Sequence, residues 1–408
     1  MPTITDNNKQ QWTVLSGLFF IYMASNGIVM HTLPLLYPEL IDSFGWTEAE
    51  VTLPATVFFV IGAITSPPAG WILDRFSPRV TILIGSLILL AGLLFYGRVT
   101  TLWQLVAIYA ILGAGLSLCG LVSNMVVLSG WFDGGRGRAT GILLMASSLG
   151  GTVFPLIVGA GLLAWGWRDT ATAMALGTGL IMLFSALVLL RDPKKRVVAA
   201  TDTSPSESLG PTVMAALADS RFYRIILATG ALWFVIIALT QHQSLYLARD
   251  LGLSRSSLPA VFSVFFACSV VGKLGFGLLS DYFDLRRVMA GSVLLLGVAF
   301  AILQQLNVTS TPMLYTYAVL AGIGFSGAFT CIQLLIASFY WGAAYGRILA
   351  ILVLIDTLCG ALGTRTVGLL RAAQGHYHDA LLGMVILCAI AAVTILTLPN
   401  TQQSGAAK

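Results

Sequence analysis

The sequence predicts an all-α membrane protein with twelve transmembrane helices in two pseudo-symmetric six-helix bundles. Three observations lead there: a composition too apolar for a water-soluble domain, twelve apolar runs of bilayer length, and residue blocks that recur in the two halves. Of the 408 residues, 57% are hydrophobic and 10% charged, and the mean hydropathy is +0.89, whereas soluble domains carry about 25% charged residues. This excludes a globular cytoplasmic or secreted protein, a disordered chain and a nucleic-acid binder. The net charge of +5 comes from 22 Lys and Arg against 17 Asp and Glu, and in a membrane protein its distribution over the loops says more than the sum. Cys119, Cys268, Cys331, Cys359 and Cys388 all lie inside apolar stretches, so they read as free, buried small hydrophobes. No disulfide framework, metal or cofactor is expected.

A membrane helix needs about 20 mostly apolar residues. Such runs lie near 12–38, 50–72, 80–97, 102–130, 138–164, 170–190, 221–246, 257–280, 287–306, 312–340, 346–370 and 378–398. The first stays apolar past Met30 without a small-residue cleavage site, so it reads as a retained helix and not a removable signal peptide. Basic residues set the orientation: 15 of the 22 fall on the side of the even-numbered loops and termini, five on the other, while Lys273 and Arg365 lie within spans. Both termini are therefore expected in the cytoplasm, in a cell (plasma or inner) membrane. The longest hydrophilic stretch, rich in Ser, Thr, Pro and Lys, reads as a flexible linker. It gives an N-terminal bundle over 1–190, a cytoplasmic linker over 191–220 and a C-terminal bundle over 221–408.

The two halves repeat each other. Gly70, Asp74, Phe76 and Arg79, between the second and third spans, recur as Gly277, Asp281, Phe283 and Arg286, displaced by 207 residues. In the fourth and tenth spans Gly113, Gly115, Ser117, Asn124 and Ser129 recur as Gly322, Gly324, Ser326, Gln333 and Ser338, displaced by 209. Parallel six-helix repeats joined by a linker are transporter architecture, with a substrate site expected between the halves near the bilayer midplane.

The chain resembles a major facilitator superfamily transporter. The resemblance rests on Gly70-Trp71-Ile72-Leu73-Asp74-Arg75-Phe76-Ser77-Pro78-Arg79, which is similar to the superfamily's G-x-x-x-D-R-x-x-x-R signature between the second and third spans. Within the superfamily, Gln11-Trp12, Phe44-Gly45-Trp46-Thr47, Trp131-Phe132, Arg136-Gly137-Arg138-Ala139-Thr140-Gly141 and Val271-Gly272-Lys273 resemble the monocarboxylate and oxalate/formate group. That resemblance implies proton-coupled or exchange transport of small carboxylates. The oxalate/formate members carry one cation on the eighth span and another on the eleventh. Here the eleventh-span position aligns with Asp356, through the following Gly360 and Gly363, so half of a dicarboxylate clamp is missing. The resemblance also favours a cytoplasmic latch of Gly70, Asp74, Arg75, Arg79, Gly277, Asp281 and Arg286; loop arginines also fix orientation.

The candidate substrate-binding residues are Lys273, Asp356, His242, His31, Asn124, Gln333 and Arg365. Lys273 lies eight residues before Asp281 and Asp356 ten after Gly346, so both sit roughly 12–15 Å from the cytoplasmic ends of their helices. A charge at that depth costs about 2.5–3.5 kcal/mol of insertion free energy and usually faces a partner or a transport path. A structural ion pair between Lys273 and Asp356 is the alternative to function. A substrate carboxylate at Lys273 would displace Asp356, which takes up a proton, so the loaded cavity keeps the charge of the empty one. Asp356 and His242 are thus the candidate proton-coupling residues. His31 and His242 lie near the other mouth, where a lone histidine more often serves as a hydrogen-bonded packing residue. Arg365 reads also as a snorkelling residue, and Asn124 and Gln333 as helix-joining polar groups.

The expected function is a secondary active transporter that moves a small organic anion, a monocarboxylate, with a proton by alternating access, working as a monomer with the lipid bilayer and no nucleic acid as partner. The alternatives are a proton-coupled exporter of amphipathic or cationic compounds, in which Asp356 recognises the cation, and an organic-anion exchanger. Nothing in the chain forms a nucleophile–base pair, a metal-ligand spacing or a phosphate-cradling loop, so it is not read as an enzyme.

Overall fold

A computed structural model describes residues 4–132, 136–192, 212–306, 310–340 and 344–399, apart from the side chains of residues 4–8, 74, 136 and 137. Among the described residues the regular elements are helices: α1 (Ile4–Val29), α2 (Tyr37–Phe44), α3 (Glu48–Arg75), α4 (Pro78–Tyr96), α5 (Leu102–Cys119), α6 (Leu121–Trp131), α7 (Arg136–Phe184), α8 (Val213–Ala218), α9 (Ser220–Leu245), α10 (Leu258–Tyr282), α11 (Leu285–Gln304), α12 (Thr311–Tyr340), α13 (Tyr345–Gln374) and α14 (His378–Leu396). Their long apolar stretches make the chain a multi-pass membrane protein. A backbone crossing hydrocarbon must satisfy its own hydrogen bonds, and a helix does so within one segment. The starts are chemically marked. Thr47 and Thr101 open α3 and α5 with capping boxes closed by Glu50 and Gln104, while Ser77 and Asp284 cap α4 and α11.

Among the described residues eleven helical stretches are long and apolar enough to cross a membrane, and they take in the twelve expected spans to within two residues at the ends. The fifth and sixth spans run together in α7, whose 49 residues would extend about 74 Å as one straight helix, more than twice the hydrocarbon thickness. Gly166, at φ 76° and ψ 174°, breaks the run in a conformation that glycine adopts without a Cβ clash. The first span is also more articulated than expected. It ends α1 at Val29, turns, and continues through a 3₁₀ turn over Leu33–Leu36 and then α2, because Pro34 and Pro38 cannot donate to the preceding turn and sit near the starts of new ones. The fourth span breaks at Gly120, between α5 and α6. Of the expected linker, residues 193–211 lie outside the described ones; its end is not irregular but forms α8, whose N-terminus Thr212 caps through Ala215.

Contacts group the chain into two compact units, one of Met1–Ala199 with Ser254–Ser263 and one of Ala200–Leu253 with Val264–Lys408. In the first unit α1 packs on α7, α3 on α5, and α4 on both α5 and α7; in the second α9 packs on α13 and α14, and α11 on α12 and α14. The repeat is visible as matching close approaches. A Cβ on Gly113 would strike the carbonyl of Phe58, and one on Gly322 the carbonyl of Phe265, 207 residues on. Likewise a Cβ on Gly115 would press on Leu89 and one on Gly324 on Leu296, again 207 residues apart. Small residues let membrane helices approach this closely, which explains why Gly113 and Gly115 recur as Gly322 and Gly324.

Candidate functional site

The site residues gather on four helices of the second unit. Helix α13 lies close against α9 because Gly360 and Gly363 leave no side chain between it and Ile237 and Phe234. This brings Asp356, only 2% exposed, to Thr229, whose hydroxyl donates to the carboxyl Oδ1 at 2.8 Å. Oδ2 is buried without a hydrogen-bond partner among the described residues. One turn along α9 from Thr229, Trp233 meets Phe329 of α12 edge to face, with ring centroids 5.9 Å apart and planes at 63°. Phe329 in turn stacks on Phe325 at 6.4 Å and 25°. The ammonium of Lys273, on α10, lies 5.3 Å from the centroid of the Phe329 ring, within reach of the attraction between a cation and an aromatic face.

Lys273 and Asp356 form no ion pair with each other among the described residues. The pairing, which the sequence offered as a structural alternative and from which the displacement of Asp356 by a substrate carboxylate would start, is not made: the ammonium lies at an aromatic ring and the carboxyl group is held by a threonine. Lys273, Phe329 and Trp233 are half-buried, in contrast to Asp356. Gln333 is half-buried one turn after Phe329 on α12, which places it on the same helix face. The cluster can therefore hold an anion at a cation set among aromatic groups, and a proton on a buried carboxyl group nearby in the same unit.

Sequence reasoning missed Thr229 and Phe329. Their only signal is spacing: Thr229 precedes Trp233, and Phe329 precedes Gln333, by four residues. Phe329 stands 209 residues after Gly120. Where the first half breaks its helix, the second half runs on and carries the ring beneath the lysine.

The other candidates have local partners. The Nε2 of His242 bonds the carbonyl of Thr364 at 2.9 Å, and Nδ1 lies 3.0 Å from the Tyr377 hydroxyl. A carbonyl only accepts, so Nε2 carries a proton, while Nδ1 shares its hydrogen bond with the Tyr377 hydroxyl. Tyr377 belongs to a further network: its backbone N–H donates to Asp250 at 3.1 Å, Asp250 pairs with Arg371 at 2.9 Å, and the guanidinium lies 5.4 Å from the Tyr377 ring centroid. His31, in the turn after α1, bonds Ser147 at 2.9 Å. The amide nitrogen of Asn124 donates to the carbonyls of Cys119 and Gly120 at 2.8 and 2.7 Å, so this side chain ties together the ends of the broken fourth span. Arg365 is half-buried on α13, nine residues or about 13 Å beyond Asp356.

The latch differs from its expected form. The side chain of Asp74 lies outside the described set. Asp281 is exposed and makes no hydrogen bond or ion pair among the described residues, while Arg286 turns to Asp284 at 2.6 Å. A Cβ on Gly70 or Gly277 would meet nothing within 4 Å among the described residues, so close packing does not account for these glycines. Arg75 stacks on Trp71, 5.1 Å from the ring centroid. Arg79 donates to the carbonyls of Ala186 and Leu187 at 3.0 and 2.5 Å, and Arg286 to that of Leu398. Each repeat-related arginine thus serves the terminal carbonyls of the last span in its own half, where a cation is favoured. The hydrogen bond from Arg286 also holds the Asp284 carboxyl below its ordinary value, against a smaller opposing effect of burial. Ser77, the position related to Asp284, instead donates to Asp192 at 2.5 Å.

The comparisons agree with this architecture. The family profile of the Major Facilitator Superfamily matches residues 15–246 and 243–408. An oxalate:formate antiporter of Oxalobacter formigenes is 26% identical, over 83% of this chain and 75% of that protein. The MFS-type transporter opdF of Penicillium oxalicum is 31% identical over 38% of this chain, a match that spans only 37% of that relative. A crystal structure of a bacterial homolog to the human lysosomal transporter Spinster, inward-facing and unoccupied, superposes with a TM-score of 0.71 at 17% identity, covering 97% of this chain and 96% of that one. By profile, helix count and fold, the chain belongs to the major facilitator superfamily, a family of membrane transporters rather than enzymes.

Proposed function

We propose that the protein is a secondary active transporter that carries a small organic monocarboxylate together with a proton across the cell membrane, with both termini cytoplasmic and the monomer as the working unit. The observation that supports it is Lys273, a cation on an aromatic shelf, in the same unit as Asp356, a buried carboxyl group held by one threonine hydroxyl. The lysine binds the substrate carboxylate. Asp356 carries the proton, because a buried carboxylate with one hydrogen bond and no cation beside it is costly to keep charged. The oxalate:formate antiporter among the relatives is named for carboxylate substrates, which fits this class. Asp356 stands where that group's second cation is expected, so one carboxylate per substrate is favoured over two.

The unpartnered oxygen of Asp356 supports a second reading, export of amphipathic or cationic compounds with Asp356 as their anchor. Uptake of labelled lactate, pyruvate, oxalate and an amino acid into proteoliposomes, with and without an inward proton gradient, separates the two. The expected result is uptake of the monocarboxylates, faster when the outside is acidic and faster than that of oxalate. Indifference to all carboxylates, with movement of organic cations, would overturn the proposal.

A further inference from the structure

The first unit holds a groove that the transport site does not use. It has a volume of about 280 Å³ and lies between α4 and α5, walled by Phe95, Ala107, Ile108 and Ile111, with Arg98 and Gln104 at its polar end. Phe95 is 56% exposed and the adjoining Trp103 73%. Bulky apolar groups so exposed in a membrane-spanning chain face lipid, and a tryptophan beside an arginine marks the headgroup level.

Arg98 has no structural task that explains it. An arginine just past the end of α4 would ordinarily serve that helix's last carbonyls, but Arg168 already donates to Gly97 at 3.0 Å and stacks 4.4 Å from the centroid of Trp167. Arg98 makes no side-chain hydrogen bond or ion pair among the described residues. Gln104 spends its Oε1 on the backbone N–H groups of Thr100 and Thr101, at 2.8 and 3.3 Å, so the amide NH₂ of the same group is left to donate elsewhere. An unpaired guanidinium and a spare amide donor, above apolar walls at headgroup depth, match the two ends of one molecule.

We infer that this groove binds one anionic phospholipid: Arg98 and Gln104 hold the phosphate, and an acyl chain lies along Phe95, Ile108 and Ile111. The guanidinium offers paired donors to phosphate oxygens, and the chain covers apolar surface that α4 and α5 leave open.

Native mass spectrometry of the purified full chain, titrated with phosphatidylglycerol or phosphatidylcholine of the same acyl length, tests this. Wild type is expected to bind one phosphatidylglycerol more tightly than phosphatidylcholine. Arg98→Ala should weaken that phosphatidylglycerol by about fivefold, the worth of one basic residue against an anionic headgroup, and bring it level with phosphatidylcholine. Arg98→Lys should keep most of the preference, and Ala107→Phe, which fills the groove from an exposed position, should weaken both lipids. Equal affinity of wild type and Arg98→Ala for phosphatidylglycerol, or no headgroup preference in wild type, would overturn the inference.

Discussion

Lys273→Ala should abolish carboxylate binding and uptake while leaving a folded protein. The ammonium lies over the Phe329 ring, with Trp233 and Phe325 completing an apolar shelf, and no second cation of the site replaces it. Removing one member of a desolvated charge pair typically costs 2–5 kcal/mol, so affinity should fall by about 30-fold or more. Folding should survive, because Lys273 makes no ion pair with Asp356 and its loss leaves no bare partner charge there. Lys273→Arg should keep partial function: the charge and the attraction to the ring remain, but a planar fork replaces a compact ammonium. Equilibrium binding to purified variants, read beside their thermal unfolding, checks both. Wild-type affinity in Lys273→Ala would end the anion-site assignment.

Asp356→Asn should separate exchange from accumulation. The amide oxygen can still accept the Thr229 hydrogen bond that Oδ1 accepts at 2.8 Å, so helices α9 and α13 should stay in register. It mimics the protonated acid and has nowhere to put a proton. Counterflow, which needs only substrate binding and reorientation, should therefore persist, while accumulation driven by an acidic outside should vanish. Both assays can be run on one proteoliposome preparation. If acid-driven accumulation survives intact, the proton is carried elsewhere. His242 is then next, despite both of its ring nitrogens being bonded to Thr364 and Tyr377. If counterflow is lost as well, Asp356 touches the substrate directly, as the cation-export reading requires.

The long apolar runs, the repeat and the family were legible because each is written in consecutive residues or fixed offsets. Depth in the membrane was legible too, since a helix advances by a constant rise, and it singled out Lys273 and Asp356. What could not be read is which face of one helix meets which face of another. Two charges at one depth suggested an ion pair, yet the rotation of α13 that seats Gly360 and Gly363 against α9 sends Asp356 to Thr229 instead. The same limit applies to the latch. Spacing alone put Asp281 near Arg286, but the carboxylate that also caps α11 is Asp284. Asn124 appeared as a partner of Gln333 because their positions correspond. The break at Gly120 sets the carbonyls of Cys119 and Gly120, the latter also accepting the backbone N–H of Asn124, within reach of the Asn124 amide, and α12 has no such break for Gln333.

The central claim is one of charge. On the proposed function Lys273 takes an anion and Asp356 a proton in the same cycle, so the pair carried inward has no net charge. The direct measurement is monocarboxylate uptake into proteoliposomes under a fixed inward proton gradient while a potassium diffusion potential is stepped from inside-negative to inside-positive. The account predicts an uptake rate that follows the proton gradient and stays the same across the potential steps. A rate that scales with the potential, or that ignores the proton gradient, would contradict it.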